Sequence, residues 1–305
     1  MSTSGIQSLI DPSNALFEAA RTGKRLPNIV VATLILIAVM AVGFAITGIA
    51  GRLIYGDTGD TAPLMEGYYG YIIPFALIIG ALWVWVRVYE RRRFASIGLG
   101  AGGALFKYAV GLAVGFGMVA VTVGLMCISG GVALEPAGDV VTGVAAVGGS
   151  LLVLMGFGVQ GASEEIITRG WYMPVLGVRY RPITGVIVST VLFAGLHAPT
   201  QPVYIVNLLL FGLFLALYAL REGTIWGICG WHTAWNWSMG NVFGLKISGH
   251  DPFGDTIINL QATGHPLLSG GEFGPEGSLW ATLVLATGIV TVILSARKRD
   301  RVSPV

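Results

Sequence analysis

The sequence predicts an all-α, polytopic membrane protein with about eight transmembrane helices around an intramembrane polar cavity. Of its 305 residues, 54% are hydrophobic and only 11% are charged, whereas about a quarter of the residues in a soluble domain are charged. Basic residues lie between the long apolar runs, and strongly polar residues interrupt the runs of the second half. These observations together favour a membrane bundle with a functional interior.

Eight apolar runs approach the length of about 20 residues that a bilayer-spanning helix needs. The first four lie at about 27–50, 68–88, 106–129 and 141–163, and the fourth continues as a helix to about 176. The last four lie at about 183–198, 203–220, 223–244 and 278–296. The fifth and sixth runs are short, and prolines in the segment 197–202 should end a helix. This pair is expected to tilt or to contain a partly re-entrant segment.

The distribution of positive charge supports eight spans and orients the chain. With the amino terminus placed inside, all 18 Lys and Arg residues fall in inner segments except Arg52 and Lys246. The positive-inside rule describes this asymmetry. Both termini are therefore predicted to be cytoplasmic. The protein is predicted to cross the membrane several times and to have the lipid bilayer as a partner.

A single transmembrane domain, residues 27–297, is predicted between two cytoplasmic ends. Residues 1–26 suit either a short amphipathic helix on the inner surface or a frayed terminus, and residues 298–305 form a basic tail. The outer loop, about 246–276, is rich in Gly, Asp and Pro, and its two histidines, His250 and His265, are expected to be solvated. No cleavable signal peptide and no disulfide framework are expected.

The first of three polar clusters within the spans contains Glu164, Glu165 and Arg169. An ionisable side chain at such a depth is a functional hypothesis by default. Glu165 and Arg169 are four residues apart and face each other on a helix, so we expect a structural pair. Glu164 is turned by about 100° from Glu165 and has no obvious partner on its own helix, which leaves it free to act. The alternative is that all three are solvated at the lipid interface.

The second cluster is the segment FAGLH at 193–197. Phe193 and His197 share one helix face, and the aromatic ring is expected to hold the imidazole in place. A lone histidine in an apolar helix is more often a hydrogen-bonded core residue than a catalytic one. A catalytic role for His197 therefore depends on support from the other two clusters.

The third cluster is the segment WHTAWNW at 231–237. His232 and Asn236 are four residues apart, and both side chains can donate hydrogen bonds. The alternative is a polar clamp between membrane helices. The three tryptophans are expected to pack or to mark the membrane interface.

The three clusters lie at similar depth in the predicted spans. At about 1.5 Å per residue, Glu164 is roughly 20 Å and His197 roughly 24 Å from the inner turn near 178–181. The pair on the third helix is roughly 14–20 Å from the inner turn at 221–223. Independent structural roles do not require this agreement, whereas one shared pocket does. The predicted site has four catalytic and three supporting residues: Glu164, His197, His232 and Asn236, with Glu165, Arg169 and Phe193.

A carboxylate, two imidazoles and an amide in a partly dry cavity suit hydrolysis. A carboxylate held away from water is a stronger base, so Glu164 is predicted to deprotonate a water that His197 orients. His232 and Asn236 can donate hydrogen bonds to the oxyanion. No serine or cysteine nucleophile with a neighbouring base stands out, which favours direct attack by water.

A zinc ion is the competing account and the one cofactor considered. Glu164, His197 and His232 could ligate zinc and leave a fourth position open. The sequence contains no H-E-x-x-H motif, and three ligands on three helices have no diagnostic spacing. Asn236 is a poor zinc ligand but a good oxyanion donor, which favours the metal-free account.

The segments EEIITRGW, FAGLH and HTAWN resemble the three motifs of the CPBP family, the CAAX-protease and bacteriocin-processing intramembrane endopeptidases. The family pattern is EExxxR, then FxxxH, then HxxxN or a similar last residue, and all three occur in order within residues 164–236. The resemblance implies an eight-helix endopeptidase in which Glu164 and His197 activate water while His232 and Asn236 stabilise the oxyanion. It also implies an abortive-infection or immunity relationship for some members, and it leaves glutamate-dependent and metal-dependent proteolysis open.

The sequence therefore favours an intramembrane endopeptidase that cuts a membrane-associated or lipidated peptide or protein. Nucleic acid is not an expected partner. The sequence does not indicate whether the protein forms oligomers. A non-catalytic immunity or scaffold protein is the second reading. A transporter that uses Glu164 and Arg169 as an ion relay is the third, and the lack of an internal repeat weakens it.

Overall fold

The computed structural model describes residues 5–55, 63–100, 102–136 and 140–302, and regular structure within them is almost entirely helical. The helices are α1 (Gly5–Leu9), α2 (Ala15–Arg21), α3 (Ile29–Tyr55), α4 (Pro63–Val84), α5 (Ala104–Ile128), α6 (Val147–Glu165), α7 (Met173–Arg179), α8 (Pro182–Leu196), α9 (Pro202–Glu222), α10 (Trp226–Trp237), α11 (Pro266–Ser269) and α12 (Leu279–Val302). Three of them, α4, α6 and α10, continue as π-helical turns over Trp85–Tyr89, Ile166–Tyr172 and Ser238–Val242.

The predicted fold class, an all-α polytopic membrane protein, is confirmed. Each of the eight predicted spans overlaps a long or apolar helix of the bundle. Within the described residues, six helical segments are long and apolar enough to cross a membrane by length and composition. The helices α8 and α10 have 15 and 12 residues, so the count of eight spans is not confirmed and stays a prediction. The break between α8 and α9 falls in the proline-containing segment 197–202, as expected.

The π-helical turn at Ile166–Tyr172 joins the first polar cluster to α7. Pro174, near the start of α7, has no N–H to donate to the preceding turn, which interrupts the regular hydrogen-bond ladder there. The turn is also fixed from outside, because the Trp171 indole donates to Glu90 Oε1 at 2.6 Å. The same Glu90 carboxylate pairs with Arg92 at 2.6 Å, and both side chains are fully buried. The helical segment that carries Glu164 and Glu165 is therefore anchored at the end that the charge distribution predicts to be cytoplasmic, called the inner end below.

Glycines bring α5 and α10 into direct backbone contact. A methyl group on Gly111 of α5 would overlap the Gly227 carbonyl of α10, and one on Gly230 would overlap the Tyr108 carbonyl. Small residues at this spacing let membrane helices approach closely, where van der Waals packing replaces the hydrophobic effect. The hydrogen bond of 2.9 Å between the Tyr108 and Thr233 hydroxyls adds to the contact. This packing fixes α10, which carries the third polar cluster.

The amino-terminal segment is packed against the inner end of the bundle. Phe17 of α2 is fully buried and lies against Gly177 of α7, and Asn14 donates to the Leu220 carbonyl at 2.8 Å. The helix α1 packs on α12. The frayed-terminus alternative is therefore wrong for this segment, while residues 1–4 and the last three residues of the predicted tail, 303–305, lie outside the described residues.

The outer loop is folded back onto the bundle. The strand β1 (Val132–Leu134) pairs antiparallel with β2 (Leu260–Ala262), which ties the loop to the outer end of α5. Glu276 is buried and accepts hydrogen bonds from the Trp235 indole at 3.0 Å and from the Ser248 backbone and hydroxyl at 2.7 Å. The loop is thus attached to α10 by a buried carboxylate.

The α5–α10 contact predicts opposite results for two glycine substitutions on the same helix. Gly111→Ala should destabilise the protein by about 1–3 kcal/mol, because the added methyl group overpacks a backbone contact. Gly117→Ala is the matched control, since a Cβ at Gly117 meets nothing within 4 Å and alanine favours a helix. Thermal unfolding in detergent measures both, and equal midpoints for the two variants would contradict the predicted close contact.

Candidate active site

One cavity of about 620 Å³ is lined by all four residues that the sequence predicts to be catalytic. Glu164 lies at the end of α6, His197 follows α8, and α10 carries both His232 and Asn236. The rest of the lining is largely apolar: Met40, Phe44, Phe75, Phe157, Leu196 and Leu208. Three distant segments of chain thus meet at one pocket, as their similar depth predicted.

Glu165 and Arg169 form a fully buried ion pair next to residues that line the cavity. The distance between Glu165 Oε1 and Arg169 Nη1 is 3.0 Å, and both side chains are 0% exposed. His232 Nδ1 donates to the same Glu165 oxygen at 2.9 Å, because a carboxylate can only accept. Glu165 therefore joins the first polar cluster to the third and orients the His232 ring.

Arg169 is also enclosed by neutral partners. Its guanidinium donates to the Thr168 hydroxyl at 3.0 Å and to the Gly212 carbonyl at 3.3 Å, and it lies over the Phe193 ring at 4.2 Å from the centroid. A desolvated cation over an aromatic face is stabilised by the ring quadrupole. Phe193 also contacts the His197 ring, with 4.5 Å between centroids. Phe193 thus supports two clusters, where the sequence predicted only its contact with His197.

Glu164 differs from the prediction because it has a partner on its own helix. The Gln160 side chain, one turn earlier, donates to Glu164 Oε1 at 2.5 Å. The other oxygen, Oε2, lies 3.9 Å from His232 Nε2, and the side chain is 15% exposed. One Glu164 oxygen is thus held by the Gln160 amide, and the other oxygen is available to the cavity.

Gln160 is one of the site residues that the sequence analysis missed. Its carbonyl oxygen accepts a hydrogen bond from the Asn236 amide at 2.9 Å. A single buried amide therefore links Glu164 to Asn236 across two helices. The signal was present in the sequence, since Gln160 precedes Glu164 by one helical turn in an otherwise apolar run.

His197 is held at the outer end of α8 in a defined tautomer. Its Nδ1 lies 2.9 Å from the Phe193 carbonyl, and since a carbonyl only accepts, Nδ1 carries the proton. In a neutral imidazole, Nε2 is then the acceptor. The ring can accept a hydrogen bond from a water in the cavity.

Four residues of the outer loop region also line the cavity: Ile247, Ser248, His250 and Glu276. His250 is exposed, as predicted. Its position at the cavity rim was not predicted, because the sequence indicated only a solvated loop residue. Glu276 was missed because nothing in the sequence connects it to α10. His265 does not line this cavity, and its ring accepts from the Leu267 amide at 3.2 Å.

The three predicted zinc ligands, Glu164, His197 and His232, all line the same cavity. Within the described ranges, no group of three or more His, Cys, Asp or Glu side chains is placed to hold a metal ion. His232 directs Nδ1 to Glu165, and His197 lies at the end of a different helix. The choice between zinc-dependent and glutamate-dependent chemistry stays a prediction.

The fold and the site define an integral, multi-pass membrane protein with a polar cavity among apolar helices. A family model described as type II CAAX prenyl endopeptidase Rce1-like matches residues 146–238. This segment contains all three polar clusters, so the resemblance to the CPBP family is confirmed there. Comparison of the chain with curated proteins and with solved structures gives no significant match.

The buried pair predicts that Glu165 acts mainly on stability. Glu165→Gln should lower the free energy of unfolding by about 3–5 kcal/mol, because it leaves the Arg169 charge buried without a counter-ion. Glu18→Gln is the control, since the Glu18–Arg21 pair is exposed and such pairs contribute at most about 1 kcal/mol. Chemical or thermal unfolding in detergent measures the difference. Equal losses in the two variants would show that the buried pair has no special structural role.

Proposed function

We propose that this protein is an intramembrane endopeptidase in which Glu164 activates water for direct attack on a peptide bond. The family match supports a CAAX-type membrane endopeptidase acting on a peptide or protein. The observation that carries the proposal is the cavity shared by Glu164, His197, His232 and Asn236. The substrate is a membrane-associated or lipidated polypeptide, because the rest of the cavity wall is largely apolar.

In the proposed reaction, Glu164 takes a proton from a water that also donates to His197 Nε2. The resulting hydroxide attacks the carbonyl carbon and forms a tetrahedral oxyanion. Glu164 then returns the proton to the leaving amine as the carbon–nitrogen bond breaks. One carboxylate thus serves as base and then as acid.

The oxyanion is stabilised in this proposal by donors from α10. Asn236 uses one amide hydrogen to hold Gln160, and its second hydrogen is available to the substrate oxygen. His232 donates through Nε2 when its ring carries both protons. The nearby carboxylates of Glu164 and Glu165 attract that positive charge.

The ion-relay reading fits the contacts less well than proteolysis does. A relay through Glu164 and Arg169 needs a cation that can exchange partners. Arg169 is instead fully buried and held by Glu165, Thr168 and the Gly212 carbonyl. The proposal therefore assigns Arg169 a structural role.

Glu164→Gln should abolish cleavage while the protein stays folded. Glutamine keeps the shape of the side chain but cannot accept a proton, so the rate should fall at least about 100-fold. The measurement is cleavage of a membrane-peptide library by purified protein in detergent, with the unfolding midpoint recorded alongside. Glu135→Gln, an exposed carboxylate in the outer region, is the matched control. Full activity of Glu164→Gln would refute the assignment of the base, and an inactive wild-type protein would favour the non-catalytic immunity or scaffold reading.

Asn236→Ala should lower kcat by about 10²–10³-fold with a smaller effect on KM, because an oxyanion donor acts mainly in the transition state. The chosen readout is steady-state kinetics on a cleaved peptide. A change confined to KM would instead make Asn236 a substrate-binding residue.

Metal removal should leave the activity unchanged. Treatment of the wild-type protein with a strong chelator, followed by the same peptide assay, tests this expectation. Loss of cleavage that returns when zinc is added back would replace the glutamate mechanism with the zinc-dependent version of the same protease.

A further inference from the structure

A long apolar groove lies apart from the site cavity, between the helices α5, α9 and α12. Its volume is about 620 Å³, and none of the described residues that line it also lines the site cavity. Along α5 the groove extends from Val114 to Leu125, a length of about 17 Å. Because it follows the helix axes over several turns, its form suits an extended hydrocarbon chain.

The wall of the groove is apolar along most of its length. Its described lining consists of Val, Leu, Met, Phe and Gly, with only Thr287, Thr291 and Tyr218 as polar residues. The Thr287 and Thr291 hydroxyls each donate to a carbonyl of their own helix at 2.8 Å, so they have no proton left for an occupant. Tyr218 lies toward the inner end. An occupant of the main part of the groove must therefore be apolar, because a polar group there would be left without a partner.

Two basic residues continue the groove at its inner end. Residues seven apart lie on the same face of a helix. Lys107 therefore shares a face of α5 with Val114, and Arg221 shares a face of α9 with Phe214, where Val114 and Phe214 both line the groove. Lys107 is near the start of α5 and Arg221 is near the end of α9, so both lie at the inner end, and both are half-buried.

Among the described residues, Lys107 and Arg221 have only neutral hydrogen-bond partners. Lys107 donates to the Thr224 hydroxyl at 3.1 Å, and Arg221 Nε donates to the Ser295 hydroxyl at 3.3 Å. The nearby Glu222 carboxylate accepts from the Thr224 hydroxyl and from a backbone N–H of α10. Within the described part of the chain, no ion pair includes either cation. The inner end of the groove thus presents two positive charges to an anion.

We propose that this groove binds an anionic phospholipid, with an acyl chain between α5 and α12 and its phosphate near Lys107 and Arg221. Basic residues between membrane helices on the cytoplasmic side are suited to anionic head groups, and a guanidinium binds phosphate oxygens in a fixed geometry. A second copy of the chain is disfavoured as the occupant. A two-fold interface is self-complementary, so two copies inserted in the same direction would bring like charges together. The proposal does not depend on the proposed proteolysis.

The groove also supports the helix that carries the third polar cluster. The Trp231 indole of α10 donates to the sulfur of Met118 at 3.2 Å, and its ring centroid lies 5.1 Å from that of Phe214. Met118 and Phe214 both line the groove. A lipid chain held there packs against the residues that fix Trp231, next to His232 in the sequence. Bound lipid is therefore expected to stabilise the native bundle, as any ligand of the folded state does.

The first test compares two lipids by native mass spectrometry of the purified protein. Phosphatidylglycerol and phosphatidylcholine with identical acyl chains are titrated separately. We expect phosphatidylglycerol to bind about tenfold more tightly, and the variant with Lys107→Gln and Arg221→Gln to lose this preference. The control carries Arg93→Gln and Arg181→Gln, two exposed residues away from the groove with the same change in charge. Equal binding of both lipids by the wild-type protein, or an equal loss in the control, would overturn the proposal.

The second test fills the groove. Gly117→Leu should abolish the retention of phosphatidylglycerol, because Gly117 lines the groove and a Cβ there meets nothing within 4 Å. Gly80→Leu is the matched control on α4, since a Cβ at Gly80 also meets nothing within 4 Å and Gly80 is exposed. The same spectra report the oligomeric state. A dimer that Gly117→Leu dissociates would overturn the proposal and make a second copy the occupant.

A third measurement uses the wild-type chain, in case the variants fail to fold. Phosphatidylglycerol with a photoreactive group in one acyl chain is bound to the protein and activated by light, and the labelled peptides are mapped. Labelling concentrated on α5, α9 and α12 supports the proposal. Labelling spread equally over the lipid-facing residues of α3 and α4 would overturn it, because the lipid would then be part of the general bilayer contact.

Discussion

The buried carboxylate of Glu165 is the constraint on which the rest of the site depends. One of its oxygens meets both the Arg169 guanidinium and the His232 ring, so it fixes α10 relative to the π-helical turn after α6. A buried charge is tolerated only when an opposite charge or hydrogen bonds compensate it. The pair therefore sets the relative position of two helices, and both of these helices contribute side chains to the cavity, Glu164 and Asn236 among them.

A single amide, that of Gln160, positions Glu164 and Asn236 relative to each other. Gln160 donates to Glu164 and accepts from Asn236, so it holds the proposed base and the proposed oxyanion donor at a fixed separation. Rigid positioning of this kind is what makes hydrogen-bond donors effective in a transition state, because little reorganisation is then needed. The glycine contact between α5 and α10 serves the same end at the level of the backbone.

Much of this architecture could be predicted from the sequence. Helix positions and contacts within one helix could be predicted, whereas contacts between separate helices and loops could not. Apolar runs and the prolines of segment 197–202 locate the helices, since a bilayer requires internal hydrogen bonding. The spacing of Glu165 and Arg169 predicts their contact because it is local. Glu276 and the contact of Gln160 with Asn236 were missed because their partners lie on other elements, and such contacts have no sequence period. The contact of Gln160 with Glu164 is local and could have been predicted from its spacing. The roles of the four cavity residues remain predictions, since geometry brings them together without showing a reaction.

The attachment of the outer loop to α10 makes the loop and the site one mechanical unit. Trp235 lies between His232 and Asn236 in the sequence, and its indole holds the carboxylate that also holds Ser248. Two hydrogen bonds through Glu276 thus connect Ser248 of the loop to the helix face that carries His232 and Asn236. A displacement of the loop would act on that face without any ligand entering the interior.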